Sequence, residues 1–223
     1  MEEPQNKYRY ERKFTIPKVY LNQFYSELIL NNFFSLHDSR DINNLYFDDY
    51  SFSSVSDNIE GLSYRKKYRV RWYGGTYKKS NKFLEIKFKK EFLNRKEKVD
   101  LGVIPFKSNK TIDKFATSIT NKLLEKNILN LNLEIKKRRP TLLNSYKREY
   151  FYNSSEQIRI TIDDNLSFFS PVTKQKFIEN KIIIEAKYDR ESNFFNKFNK
   201  LTTTRYSKYV KGTIQTSNFT PIY

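Results

Sequence analysis

Three stretches of the chain alternate between apolar and charged residues, the mark of a β-strand with one buried face and one polar face. In residues 64–73 the alternation puts Arg65, Lys67, Arg69 and Arg71 on one side. In residues 83–89, Glu85, Lys87 and Lys89 share a side, and Leu84, Ile86 and Phe88 share the other. In residues 182–188, Glu185 and Lys187 oppose Ile182, Ile184, Ala186 and Tyr188. Each stretch therefore predicts an apolar face backed by a cationic face that single carboxylates punctuate.

The same reading extends along the chain. Residues 8–16 predict a first strand, with Tyr8, Tyr10, Phe14 and Ile16 opposing Arg9, Glu11 and Lys13. Pro17 opens a helical stretch to about residue 32, since Val19, Tyr20, Phe24 and Leu28 recur at helical spacing. Residues 43–48 form a short strand, and a polar connection leads to the cationic strand at 63–73. Gly74-Gly75 begins a hairpin into a strand at 82–92. A helix at 111–128 buries Ile112, Phe115, Ile119, Leu123 and Leu124, and strands return at 142–152, 157–169 and 176–189. A short amphipathic helix at 192–201 rests on Phe194, Phe195 and Phe198, and another begins near 206–210.

No repeat is visible, and 5 Gly with 6 Pro leave no linker, so one domain over residues 1–223 is expected. Many strands with few helices predict an α+β fold, an antiparallel sheet with helices on its apolar face. The charged face then has two fates, solvation or closure into a barrel around a charged lumen. Aromatics on the polar side (Tyr73, Phe83, Tyr146) and interleaved charges favour closure.

Composition sharpens the chemistry. Lys and Arg number 42 against 25 Asp and Glu in 223 residues, a formal +17 that predicts attraction to phosphates, nucleic acid or anionic lipid. The absence of Cys excludes disulfides, thiolate metal sites and a Cys nucleophile. The first residues carry no basic stretch followed by an apolar one, and no apolar run approaches the roughly 20 residues that span a bilayer. A cytoplasmic protein without a membrane segment is expected. Neither a Gly-rich phosphate loop nor a dinucleotide fingerprint is present, and the only histidine, His37, lies in a polar connection.

Arg69 and Arg71 lie two residues apart, about 7 Å along a strand, a spacing that suits neighbouring phosphates. Lys13, Lys87 and Arg148 hold comparable mid-strand positions. Glu11, Glu85 and Glu185 each precede a Lys by two positions, and one or two such carboxylates suffice for Mn²⁺ or Mg²⁺ bridging phosphates. The alternative is a lattice of salt bridges between strands. Phosphoryl transfer needs no histidine base, because positioning and charge stabilisation supply most of the catalysis.

Eight segments carry a resemblance. They are Tyr10-Glu11-Arg12-Lys13, Tyr46-Phe47-Asp48, Tyr68-Arg69-Val70-Arg71-Trp72-Tyr73-Gly74, Leu84-Glu85-Ile86-Lys87, Tyr146-Lys147-Arg148, Ile158-Arg159-Ile160-Thr161-Ile162-Asp163, Ile184-Glu185-Ala186-Lys187 and Arg205-Tyr206-Ser207-Lys208-Tyr209. In these the chain resembles the polyphosphate polymerase domain of the vacuolar transporter chaperone family, a branch of the triphosphate tunnel metalloenzymes. The resemblance implies an antiparallel barrel forming a basic tunnel, where a nucleoside triphosphate such as ATP donates its γ-phosphoryl group to inorganic polyphosphate. It implies that Lys13, Arg69, Arg71, Lys87, Tyr146, Arg148, Ser207 and Lys208 bind phosphates, with Arg159 and Arg205 as further cations. It also implies that Glu185 holds Mn²⁺ or Mg²⁺. The superfamily's first strand reads Glu-x-Glu-x-Lys, whereas this chain has Arg9 first, which favours the polymerase branch over the triphosphatases. A tunnel triphosphatase and a non-catalytic polyphosphate or nucleic-acid binder are the competing readings. Interspersed carboxylates and the lack of a base-stacking motif argue against nucleic acid, and a monomer is expected.

Overall fold

The computed structural model describes residues 10–90, 93–189, 198, 201–217 and 219, with the side chains of 93 and 94 left aside. Among the described residues nine strands and five α-helices follow in the order β1 (Tyr10–Pro17), α1 (Leu21–Leu30), β2 (Phe34–Asp48), α2 (Ser53–Glu60), β3 (Tyr64–Tyr73), β4 (Asn81–Lys90), β5 (Leu93–Val103), α3 (Ile112–Glu125), α4 (Leu129–Lys136), β6 (Arg139–Asn153), β7 (Ile158–Phe169), β8 (Lys176–Ile178), β9 (Lys181–Tyr188) and α5 (Lys208–Thr216). They pack as two compact units. The first comprises residues 1–40, 146–166 and 179–206, and the second 41–145, 167–178 and 207–223.

In the second unit β2, β3, β4 and β5 pair antiparallel in sequence order. Tyr68, Val70 and Trp72 of β3 and Leu84 and Ile86 of β4 point to one side. There they meet Ile112, Phe115, Ile119 and Leu123 of α3 and Ile135 of α4. Burying each such side chain contributes about 1.5–3 kcal/mol. Like charges directly opposed on the other face cost at most about 1 kcal/mol per pair. The apolar face therefore sets the register, and the cations follow by alternation. Lys82 is the exception, since it falls on the apolar side and is fully buried. Its Nζ donates to the carbonyl and hydroxyl oxygens of Ser80 at 3.1 and 2.9 Å and sits 5.0 Å over the Trp72 ring. Burial pulls its pKa down to about 8.

The first unit repeats the principle. β1 pairs with β9 and β9 with β7, all antiparallel. Phe14, Ile16, Ile160, Ile162, Ile182, Ile184 and Ala186 pack against Phe24 and Leu28 of α1, with Phe198 in the same cluster.

Several expectations are corrected. Pro17 ends β1 instead of opening the helix, and α1 begins after a single 3-10 turn. The short strand at 43–48 is the buried end of the longer β2, whose first half is largely exposed and gives no apolar period. Helices α2 and α4 and strand β5 were not anticipated, and the strand expected over 176–189 is divided into β8 and β9. Leu124 is 40% exposed and not part of the stripe. Tyr8, Arg9 and most of the helix expected at 192–201 lie outside the described residues.

Candidate functional site

In the second unit the polar side of the sheet is a grid. Cα partners across β3, β4 and β5 place Lys67, Lys87 and Lys96 in one row and Arg69, Glu85 and Lys98 in the next. A row of three opposed lysines is electrostatically unfavourable until an anion meets it. Glu85 belongs to the lattice that the sequence reading kept as an alternative. Its Oε2 accepts from Nε and Nη2 of Arg69 at 2.9 and 2.7 Å and lies 3.8 Å from Nε of Arg71, while its Oε1 faces Nζ of Lys96 at 2.9 Å. Burial pushes its pKa up, but Arg69, Arg71 and Lys96 outweigh burial and hold it at about 2. With its oxygens so committed, Glu85 fits a metal poorly.

Arg71 Nε also donates to Oδ1 of Asn44 at 2.8 Å. Lys67 Nζ lies 3.3 Å from Oγ of Ser207, which caps α5 by accepting from the Val210 N–H. Ser207 and Lys208 thus stand at the N-terminus of a helix, where backbone N–H groups and the dipole favour anions. Phe83 lies beneath Nζ of Lys98 at 3.9 Å and edge-on to Tyr73, so two of the polar-side aromatics belong to this grid.

The first unit gathers the other predicted residues. Glu11 lies opposite Lys187 and Lys13 opposite Glu185, and Thr161 and Arg159 of β7 lie opposite Glu185 and Lys187. Lys13 Nζ is 3.1 Å from Glu11 and 3.8 Å from Glu185, and Lys187 Nζ is 3.2 Å from Glu185 and 3.9 Å from Glu11. Arg148 grips Asp163 with two parallel bonds, Nε to Oδ1 at 2.5 Å and Nη2 to Oδ2 at 2.7 Å. Burial opposes its charge, but Asp163 outweighs burial and raises its pKa well above the usual value. Tyr146 is buried, with the Arg148 guanidinium 5.4 Å over its ring. Arg159 is exposed beside the Tyr152 ring, and Arg205 is exposed.

A hard divalent cation fits this face. Glu11 and Glu185 supply two carboxylates held together by Lys13 and Lys187, and the buried hydroxyl of Thr161, opposite Glu185, has no hydrogen-bond partner. All three offer oxygen, as Mg²⁺ and Mn²⁺ prefer. Among the described residues no three acidic or histidine side chains converge, so the ion would take its remaining ligands from water and substrate phosphates.

The sequence reading missed Lys96, Lys98, Asp163, Asn44 and Thr161. Lys96 and Lys98 lie on the end strand of the pairing order, where too little is buried to leave an apolar period. The available signal was charge complementarity, with Lys98 opposite Glu85.

Comparisons with known proteins bear on the family and the fold. The family model for the VTC domain matches residues 5–216. A candidate adenylyl cyclase from Hippeastrum, described as having a dominant triphosphatase activity, superposes with a TM-score of 0.52 at 15% identity, over 92% of this chain and 95% of that one. A candidate adenylate cyclase from Vibrio parahaemolyticus gives 0.50 at 11% identity, over 93% and 99%. The chain is similar to both in fold. A search of curated proteins finds no match.

Proposed function

The chain belongs to the VTC domain family, and from that premise we propose that it is a metal-dependent polyphosphate polymerase. Its substrates are ATP and inorganic polyphosphate. The observation that carries this reading is the family match across residues 5–216, which takes in every proposed site residue.

The chemistry asks little of any single side chain. A terminal oxygen of the acceptor chain bonds to the γ-phosphorus as the bond to the β–γ bridging oxygen breaks, and that electron pair leaves with ADP. The attacking oxygen is already anionic, so no base is required, whereas water would have to shed a proton. This agrees with a chain whose one histidine, His37, lies against Tyr150 and the Asp38 carbonyl. Arg69, Arg71, Lys87, Ser207 and Lys208 in one unit, and Lys13, Tyr146, Arg148, Arg159 and Arg205 in the other, are the proposed phosphate ligands. Concentrated positive charge favours a second phosphate over water as acceptor. Glu185 with Glu11 is the proposed seat of Mn²⁺ or Mg²⁺, which when bound neutralises charge on the transferred phosphoryl group.

The test is incubation with ATP and Mn²⁺, with a gel for polymer and an assay for orthophosphate. ADP and acid-labile polymer, with little orthophosphate, are the expected products. Stoichiometric orthophosphate without polymer, even with a short polyphosphate primer, would leave a triphosphatase. Binding of polyphosphate without ATP consumption would leave a non-catalytic binder.

A further inference from the structure

The phosphate ligands proposed above leave Tyr46-Phe47-Asp48 without a task, although its residues are among the best-held polar groups in the second unit. Asn44, Tyr46 and Asp48 alternate with the core residues Leu45 and Phe47 and therefore point to the cationic side. All three are buried, at 0%, 5% and 0% exposure. Replacing such polar groups with apolar ones would save their desolvation, so packing alone does not account for three in succession.

Each has a defined contact. Asn44 accepts from Arg71 Nε through Oδ1, and its Nδ2 donates to Oδ1 of Asn144 at 3.1 Å. Asn144 Nδ2 donates in turn to the Ser167 carbonyl at 3.3 Å, so a short relay of amides orients the guanidinium. The ring of Tyr46 stacks on that of Tyr209 in α5, centroids 4.6 Å apart and planes 13° from parallel. Asp48 Oδ2 accepts from the Tyr209 hydroxyl at 2.7 Å, while its Oδ1 accepts the backbone N–H groups of Asp49 and Ser54 at 3.0 and 3.1 Å. Tyr209 directly follows Lys208, so the grip on its ring and hydroxyl is a grip on the first turn of α5.

We infer that Asn44, Tyr46 and Asp48 form a positioning rack on β2 that sets two phosphate-binding elements in mutual register, Arg71 through Asn44 and Ser207-Lys208 through Tyr209. The inference rests on the phosphate-binding reading of those residues. Its physical content is preorganisation. A guanidinium and a helix start held by buried hydrogen bonds lose little freedom when a phosphate chain arrives.

Titration calorimetry with tripolyphosphate and the full chain, without turnover, tests it. Tyr209→Phe keeps the stack and removes the hydroxyl, with its bond to Asp48 and its 3.1 Å contact to the Thr141 hydroxyl, and should bind roughly tenfold more weakly, as for loss of a bond to a charged group. Asn44→Ala should lose a similar factor, with Asn44→Ser as its substitute if it does not fold. Asp48→Asn, which can bond the same hydroxyl with donor and acceptor exchanged, should largely retain the wild-type affinity. The decisive readout is coupling. Tyr209→Phe should add little to Lys208→Ala, and Asn44→Ala little to Arg71→Ala, whereas Tyr209→Phe and Arg71→Ala should multiply. Melting followed by Trp72, the only tryptophan, confirms that each variant is folded. Independent, multiplying losses within either coupled pair, or wild-type affinity in Tyr209→Phe, overturn the rack while the phosphate site stands. A wild-type chain that does not bind tripolyphosphate overturns both.

Discussion

Glu85 is a carboxylate whose two oxygens face three cations, at 2% exposure. A folded pKa held down to about 2 means that the native state keeps this proton off while the unfolded chain takes it up at ordinary carboxylate pH. The stability Glu85 contributes is therefore full above the unfolded carboxylate's pKa and is lost as pH falls toward about 2. Glu85→Gln should lower stability at neutral pH by about 1–3 kcal/mol, since it leaves partly solvated cations facing one another. It should also flatten the acid limb, the two curves converging near pH 2. Unfolding monitored by Trp72 fluorescence across pH checks both. The same contact changes what Arg69 is expected to do. As a donor of two hydrogen bonds to one oxygen of a buried carboxylate it supports the fold as well as any ligand, so Arg71 is the cleaner probe of phosphate binding.

At the level of elements, α5 is seated by a glycine. A Cβ added to Gly212 would lie 2.6 Å from Cδ2 of Leu142 and against the Phe168 ring, so the helix lies directly on the strands. Gly212→Val should cost about 1–3 kcal/mol by overpacking. By displacing Ser207 and Lys208, it should also weaken tripolyphosphate binding by more than the stability loss explains. Calorimetric binding at a temperature where the variant remains folded checks this. A glycine inside a helical pattern ordinarily argues against the helix, and only the packing explains this one. Elements with a buried face, such as β3, α3 and β9, were legible from alternation or helical period. β5 and the first half of β2 were not, because neither buries a continuous face and each owes its form to the strands around it.

Across the whole molecule, each unit carries its own apolar core and its own cationic face, and the carboxylates differ in what surrounds them. Glu185 shares Lys13 and Lys187 with Glu11 and lies opposite the Thr161 hydroxyl, which has no hydrogen-bond partner, whereas Glu85 is held by two arginines and a lysine. Glu185→Gln should therefore lose the Mn²⁺ dependence of ATP turnover. Its metal-free binding of tripolyphosphate should be unchanged or tighter, since a repelling charge is gone. A Mn²⁺ titration of turnover, set beside calorimetry in chelator, checks the two halves. Unaltered Mn²⁺ dependence would move the ion away from Glu185.

The residues alone determined which faces are apolar and which cationic, because a period of two leaves no choice once Tyr68, Val70 and Trp72 are buried. They also determined that Arg69, Arg71 and Lys87 share a side, and they carried the family resemblance. Tertiary structure decided how each charge is used, since pairing depends on strand register and on neighbours distant in the chain. Three equivalent Glu-x-Lys segments became one carboxylate locked by two arginines and Lys96 and two that share Lys13 and Lys187. Asp163, unremarkable beside Ile162, became the partner of Arg148 because β6 and β7 brought them within 2.5 Å. Asn44 acquired its contacts from Arg71 and from Asn144, 100 residues away, and Tyr46 and Asp48 met Tyr209 only when α5, more than 150 residues further along, returned to lie against β2.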